Sequence, residues 1–246
     1  MSFWENLKEE AARYIYPRKC PLCGRLLGRA ERICASCSDD LVQIEQPICR
    51  RCGRAVFSCD CVFYELKFER SISLFVHTKS ARRGVHRLKD YGDFETASYF
   101  GKRMAHIVRE EYADYKIDMV IGVPMTDGKF RTRGFNQAAM LARIVAAELS
   151  LPVRNGILIK HRNNSTQHSL GRAERKDNVA GVFKISNRAS VAGMTILLCD
   201  DVMTTGYTLS ECAGVLLGAG AKRVLCVTAT STDLEMVSNA KRAMLR

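Results

Sequence analysis

A buried strand that runs directly into two adjacent acids, a hydroxyl-rich turn and a helix constrains this chain more than any other feature. The apolar run 195–199 reads TILLC and is followed by Asp200 and Asp201. A continuous apolar run of this kind is typical of a parallel strand covered on both faces. Apolar residues then recur at helical spacing over about 206–219, and a second buried strand begins at Arg223. The pattern predicts a β-α-β unit, in which ligands bind at the carboxyl ends of the strands.

The turn that joins the acids to the helix predicts a phosphate-binding site. Free backbone N–H groups and the positive end of the helix dipole attract phosphate there, and the threonine hydroxyls add donors. We expect the phosphate to contact Met203, Thr204, Thr205, Gly206, Tyr207 and Thr208. Asp200 and Asp201 would accept hydrogen bonds from a ribose diol. The alternative interpretation is an ordinary capped helix that follows two surface acids.

A ligand that carries both a phosphate and a ribose diol is 5-phosphoribosyl-1-pyrophosphate. Residues 196–208, ILLCDDVMTTGYT, closely resemble the thirteen-residue signature of type I phosphoribosyltransferases. The resemblance implies an α/β fold with a parallel sheet flanked by helices.

A second basic segment, MTDGKFRTRGFNQ at 125–137, follows the buried strand 118–124. In type I phosphoribosyltransferases a loop in this place receives the pyrophosphate. Lys129, Arg131 and Arg133 suit that role, because several negative charges leave together and arginine holds them bidentately. The alternative is that these cations lie at the end of a solvated helix.

The segment 160–183 is polar, basic and without regular periodicity. A loop of this length inside a compact domain is often an active-site lid, and closure would exclude water from the sugar. The alternative is a disordered surface excursion.

Eight of the eleven cysteines lie between positions 20 and 61 and form two sets with metal-ligand spacing. The first set is Cys20, Cys23, Cys34 and Cys37, and the second is Cys49, Cys52, Cys59 and Cys61. Paired CxxC knuckles can present four thiolates to a structural zinc ion, and one or two ions are expected. A disulfide framework is the alternative, and the order of pairing stays open. The crowding predicts a helix and zinc-binding module over 1–66 and a phosphoribosyltransferase-like domain over 67–246.

The basic excess lies in the larger part of the chain. The formal net charge is +12, and residues 1–65 hold 10 Lys/Arg and 9 Asp/Glu, so residues 66–246 carry a balance of +11. Such a field favours polyanions, either a phosphorylated small molecule or a nucleic acid strand. The alternative is a solvated basic surface with no dedicated partner.

The first sixteen residues have apolar side chains at helical spacing and lack the order of a secretory signal. We expect an amphipathic helix packed on the protein, no membrane insertion and a cytoplasmic location.

Taken together, the motifs resemble the ComF family of competence-associated proteins over nearly the whole chain. They are the double cysteine module, LKDYGD at 88–93, VP at 123–124, RGFNQ at 133–137, the run Arg162, Gln167, Leu170, Arg175, Asn178 and Phe183, and ILLCDDVMTTG. The resemblance implies that Asp200 and Asp201 hold the ribose and Mg²⁺, that residues 204–208 hold the 5′-phosphate, and that Arg133 serves the pyrophosphate side. It also implies a role in natural transformation, with single-stranded DNA and a helicase-like competence protein as partners.

Three functional hypotheses follow. The first is a Mg²⁺-dependent, phosphoribosylpyrophosphate-binding protein of DNA uptake that also binds single-stranded DNA. The second is a phosphoribosyltransferase of nucleobase salvage, against which counts the lack of a clear aromatic platform for a base. The third is a non-catalytic sensor of phosphoribosylpyrophosphate. Catalysis is a separate question, because no residue is an evident general base.

Overall fold

The structure is a computed structural model and describes residues 18–28, 30–59, 61, 65–161, 181–186 and 190–232. In chain order its elements are α1 (Ala35–Asp40), a 3-10 turn (Val56–Ser58), β1 (Arg70–Val76), α2 (Lys79–Tyr91), α3 (Phe94–Glu111), β2 (Met119–Gly122), α4 (Asp127–Arg133), α5 (Gln137–Leu149), β3 (Leu158–Lys160), β4 (Phe183–Ile185), β5 (Thr195–Met203), α6 (Tyr207–Gly218) and β6 (Arg223–Ser231).

Four parallel strands form the central sheet in the order β1-β6-β5-β2, and β3 pairs with β4 as a separate antiparallel ribbon. The predicted β-α-β unit is present as β5, α6 and β6. Strand β5 is longer than the apolar run alone indicates, because β6 continues to pair with it as far as Met203 opposite Ser231. The acid pair therefore lies inside the ladder near its carboxyl end, with Asp200 opposite Thr228.

The strands divide their side chains between two hydrophobic cores, as the alternation of a β-strand requires. On β5, Leu197 and Cys199 join the core covered by α2, α3 and α5. Ile196 and Leu198 join the core on the opposite face, which is covered by α6, β3 and β4. The α/β architecture expected from the apolar runs is confirmed, with helices on both faces of a parallel sheet.

The cysteine module contributes to both cores. Cys20 and Cys37 of the first set belong to the core under α2 and α3. Cys52 and Cys61 of the second set belong to the core under α6, together with Leu66. The module is therefore packed into the protein and is not a detached appendage, and the division between residues 66 and 67 stays a prediction.

The local structure differs from the sequence-based expectation after Pro124. The segment after Pro124 was expected to be a loop, but Asp127–Arg133 forms the short helix α4, which Gly134 ends in a left-handed conformation with φ of 81°. The amphipathic helix over residues 1–16 and the central part of the expected lid, residues 162–180, lie outside the described residues.

Over the described part of the chain, no helix combines the length and apolar character needed to cross a bilayer.

Candidate functional site

A cleft of about 1020 Å³ opens where β2 and β5 end, and it brings together residues that are far apart in the sequence. Asp200, Asp201 and Thr208 line it from the β5–α6 segment, and Arg133 lines it from the end of α4. The other cations of its wall are Lys89, Lys129 and Lys160. The cleft thus places four positive side chains around a pair of carboxylates, an arrangement suited to a ligand with several anionic groups.

The two carboxylates of the acid pair have different surroundings. Asp201 lies beside a positive charge, whereas Asp200 is repelled by the carboxylate of Asp201. Asp201 is only 4% exposed, and its Oδ2 atom lies 3.1 Å from Nζ of Lys89. Asp200 is partly buried, and its Oδ1 atom accepts a hydrogen bond of 2.8 Å from the backbone N–H of Asp201. Burial and the adjacent carboxylate raise the pKa of Asp200 well above the ordinary aspartate value. Carboxylate oxygens in this state are suitable ligands for a hard divalent cation.

The turn after the acids has the backbone geometry of an anion site. Gly206 has a φ of 82° and precedes the first residue of α6, Tyr207. An α-helix leaves the N–H groups of its first turn without acceptors inside the helix, so this turn contains donors of the kind that an anion site needs. Thr204 is exposed and Thr205 is partly exposed, whereas Met203 and Tyr207 are buried and fix the turn to the core.

The RGFNQ motif forms a tight corner that aims Arg133. The Asn136 side chain caps α5 by accepting from the backbone N–H of Ala138 at 3.0 Å, and its Nδ2 atom donates to the carbonyl of Val123 at 3.0 Å. Oε1 of Gln137 accepts a hydrogen bond of 2.8 Å from Nη1 of Arg133. The guanidinium is therefore oriented at the cleft wall before any ligand binds.

The LKDYGD motif joins α2 to α3 and delivers Lys89 to the acid pair. Gly92 ends α2 in a left-handed conformation, and Asp93 caps α3 through the N–H of Glu95. Asp93 also accepts a hydrogen bond of 3.1 Å from Nε of Arg87. Two cations of this segment, Arg87 and Lys89, thus have carboxylate partners within the protein.

The eight cysteines form two separate clusters in sequence order, which answers the question of pairing. Cys20, Cys23, Cys34 and Cys37 make the first cluster, and Cys49, Cys52, Cys59 and Cys61 make the second. In each, the sulfur atoms lie within 4.8 Å of one another, and all eleven cysteines of the chain are free thiols.

The sulfur spacing fits a tetrahedral metal. Cys23 and Cys34 have their sulfurs 3.6 Å apart, as do Cys49 and Cys61. A tetrahedron with zinc–sulfur bonds of about 2.3 Å has edges of about 3.8 Å, whereas a disulfide needs about 2.05 Å.

The pKa values of the cysteine thiols also indicate that each cluster needs a cation to ionise fully. Burial would raise the pKa of Cys34, but hydrogen bonds from Ser36 and the Cys37 backbone lower it to about 6. Burial raises the pKa of Cys37 to about 12. The thiols of one cluster therefore cannot all ionise near neutral pH unless a positive ion joins them.

Sequence reasoning did not assign Lys160, Gln137 or Asn136 to the site. Lys160 precedes the expected lid and gave no separate signal, although burial and the charge of Lys129 lower its pKa. The signal for the other two was the RGFNQ motif, of which only the arginine was assigned a role.

Residues 92–235 match the phosphoribosyl transferase domain, and residues 11–65 match the double zinc ribbon domain. The chain belongs to the phosphoribosyl transferase domain family. Its combination of the two domains, together with its relatives, makes it a ComF/YhgH-type member, as the sequence motifs predicted.

Two curated relatives illustrate the match. The DNA utilization protein YhgH of Salmonella typhimurium is 27% identical over 216 residues, covering 86% of this chain and 90% of the relative. The competence protein ComFC of Bacillus subtilis is 29% identical over 205 residues, covering 79% of this chain and 82% of the relative.

Solved structures resemble this ComF-type chain more distantly. Adenine phosphoribosyltransferase from Saccharomyces cerevisiae has a TM-score of 0.39 and 14% identity, over 65% of this chain and 78% of that chain. The allosteric regulatory enzyme of purine biosynthesis also has a TM-score of 0.39, with 22% identity over 58% of this chain, and the match spans only 30% of that longer chain. The family assignment rests on the domain matches.

The raised pKa of Asp200 predicts that this residue destabilises the unliganded protein. Because its folded-state pKa lies above its unfolded-state value, ionisation costs folding free energy at neutral pH, and the cost disappears below about pH 4. We expect Asp200→Asn to raise the thermal midpoint at pH 7 without added divalent cation, and to match the wild type near about pH 4. Thermal melts from about pH 4 to 8 measure this.

Asp114→Asn, at an exposed turn position, is the matched control and should leave the melting profile unchanged. A lower midpoint for Asp200→Asn at pH 7, or a gain that persists undiminished at the acid end, would contradict the prediction.

Proposed function

We propose that this ComF-type protein binds 5-phosphoribosyl-1-pyrophosphate with Mg²⁺ in the cleft and acts in DNA uptake by binding single-stranded DNA. The single observation that carries the proposal is that the acid pair, the start of α6 and the cations Lys129 and Arg133 border one cleft. Each group suits a different part of that ligand.

The ligand would lie across the cleft from α6 to α4. Backbone N–H groups of the turn 204–208 would receive the 5′-phosphate, and the carboxylates would accept hydrogen bonds from the ribose hydroxyls. Lys129 and Arg133 would hold the pyrophosphate, and Gln137 keeps Arg133 oriented for it.

The acid pair also fits Mg²⁺. Among the described residues, Oδ2 of Asp201 is buried without a hydrogen-bond donor and lies beside the charge of Lys89, so it has lone pairs that a cation could accept. When bound, Mg²⁺ would neutralise charge on the pyrophosphate and hold it near the ribose.

Calorimetry tests the ligand directly. Wild type should bind phosphoribosylpyrophosphate in the presence of Mg²⁺, and Asp200→Ala/Asp201→Ala should abolish that binding. Arg133→Gln should weaken it at least about tenfold, because a hydrogen bond to a charged group contributes about 1.5–3 kcal/mol. Arg143→Gln, which removes an exposed arginine from α5, is the control and should bind like the wild type. A wild type that binds no ligand would reject the proposal.

We further propose that each cysteine cluster holds one structural zinc ion. Four thiolates leave no coordination position for substrate, so the metal would stabilise the fold and take no part in chemistry. Metal analysis should find two zinc equivalents in the wild type, and one each in Cys37→Ser and Cys52→Ser. Cys212→Ala removes a buried thiol outside both clusters and should retain two. Fewer than two in the wild type would contradict the assignment.

Exposed aromatic side chains near the cleft cations support binding to single-stranded DNA. Tyr91 is 77% exposed and lies two residues after Lys89, and Phe130 is 49% exposed beside Lys129. Phe94, at the start of α3, is 68% exposed. Cations that track phosphates and aromatic rings that stack on bases are the two elements of strand binding. Exposure of these rings depends on tertiary packing, so the sequence alone does not indicate it.

Salt titration separates the two contributions. Phe130→Ala should weaken binding to single-stranded DNA by about 5-fold to 100-fold without altering the salt slope, because stacking contributes about 1–3 kcal/mol per base. Lys129→Gln should reduce the slope of log affinity against log salt by about 0.7. Gel shifts or fluorescence anisotropy across salt concentrations measure both effects.

Absence of strand binding, or binding without a salt slope, would remove DNA from the proposal. Sustained pyrophosphate release with one free nucleobase would redirect it to nucleobase salvage. A helicase-like competence protein is the partner that the family resemblance implies.

A further inference from the structure

A buried arginine of the cysteine module reaches the turn that begins the proposed phosphate site. Arg54 is 4% exposed although its side chain is charged. Its Nη2 atom donates a hydrogen bond to the backbone carbonyl of Thr204, and its Nε atom donates to the carbonyl of Thr232 at 3.3 Å. Burial of a guanidinium costs free energy unless its donors have acceptors. These two hydrogen bonds therefore help to stabilise Arg54 in its buried position.

The accepting carbonyl controls the direction of a donor in the turn. In a trans peptide, the C=O of one residue and the N–H of the next point to opposite sides. The bond from Arg54 to the Thr204 carbonyl therefore fixes the direction of the Thr205 N–H. Thr232 supports the same carbonyl, with its Oγ1 atom 3.4 Å away.

The backbone of Arg54 is held by hydrogen bonds within the second cysteine cluster. The backbone N–H of Cys49 donates to the carbonyl of Arg54 at 2.7 Å, and the N–H of Gly53 donates to the carbonyl of Cys49 at 2.9 Å. The same knuckle is joined to β1, because the N–H of Ser71 donates to the carbonyl of Arg51 at 2.8 Å. A continuous set of bonds thus leads from the cluster to the phosphate turn.

The first cluster provides an internal comparison. Its knuckle has the same bond pattern, with the N–H of Cys20 donating to the carbonyl of Arg25 at 2.7 Å. Arg25 stands in the position of Arg54 but is exposed. Only the second knuckle, among the residues that the structure describes, sends its arginine to Thr204.

We propose that Arg54 is a positioning residue that makes the second cysteine cluster part of the 5′-phosphate site. Metal binding at that cluster and phosphate binding at the turn then stabilise each other, since both depend on the same orientation of Arg54. This inference rests on the proposed binding of phosphoribosylpyrophosphate. Two smaller ligands serve as probes of its two parts: ribose 5-phosphate for the 5′-phosphate end, and pyrophosphate for the leaving group.

Ligand affinities with Mg²⁺ test the inference on Arg54→Met, Arg54→Lys and the matched control Arg25→Met. We expect Arg54→Met to bind ribose 5-phosphate at least about tenfold more weakly, while its affinity for pyrophosphate changes less than about twofold. Arg54→Lys keeps the charge but loses the planar fork, so its loss should be intermediate. Arg25→Met removes the same charge from the other knuckle and should match the wild type for both ligands.

The outcomes separate this inference from the proposed function. If the wild type binds neither phosphoribosylpyrophosphate nor its two halves, ribose 5-phosphate and pyrophosphate, the proposed function fails and this inference fails with it. If the wild type binds these ligands and Arg54→Met loses affinity for ribose 5-phosphate and for pyrophosphate by the same factor, Arg54 has only a general structural or charge role, and the inference is overturned. Unchanged ribose 5-phosphate affinity in Arg54→Met also overturns the inference.

A second measurement follows the metal and not the ligand, by comparing the zinc affinity of each protein with and without ribose 5-phosphate. Coupling between two sites is reciprocal, so saturating ribose 5-phosphate should raise the zinc affinity of one site in wild-type protein by a measurable factor. Competition titration against a chelator of known affinity detects this, and the effect should be absent in Arg54→Met and retained in Arg25→Met. Zinc affinities that ribose 5-phosphate leaves unchanged in the wild type would overturn the coupling.

Discussion

Two like charges held side by side near the end of a buried strand are the constraint on which the cleft depends. Pairing of β5 with β6 continues past Asp200 and Asp201, so neither carboxylate can swing out to solvent by local fraying. Lys89 compensates Asp201, while Asp200 keeps a raised pKa. A polyvalent cation or a ligand rich in hydroxyl groups relieves this repulsion. The unliganded fold therefore keeps a repulsion between two carboxylates that ligand binding would reduce.

The cations around the acid pair are positioned by helix ends and caps. Asn136 and Gly134 turn the chain between α4 and α5, and the turn leaves Arg133 bonded to Gln137. Gly92 and Asp93 do the same between α2 and α3, next to Lys89. The RGFNQ and LKDYGD motifs are thus both connections between two helices, and each positions one cation at the cleft. Orienting these side chains in advance reduces the entropy lost when an anionic ligand binds.

Local signals predicted the elements well, and long-range contacts remained out of reach. The apolar run 195–199, the glycine at 206 and the helical spacing beyond it sufficed to predict the β-α-β unit around the acids. The helix Asp127–Arg133 was missed because Gly128 and the density of charge favour a loop. None of its residues is buried, so it has no apolar face that the sequence could reveal. The partnership of Lys89 with Asp201 spans more than a hundred residues and has no local sequence signal.

The two cysteine knuckles have the same backbone pattern but meet the domain differently, and this difference decides what each can transmit. A Cβ atom at Gly24 would lie 2.5 Å from the guanidinium of Arg87, the movable end of a long side chain. At Gly53 it would lie 2.3 Å from the backbone carbonyl of Ser71, on a strand of the central sheet. Contact between two backbones fixes the second knuckle to β1, whereas the group that lies against Gly24 of the first knuckle is a side chain. A side chain that must hold one peptide of a binding turn in a single orientation therefore belongs on the second knuckle, where Arg54 lies.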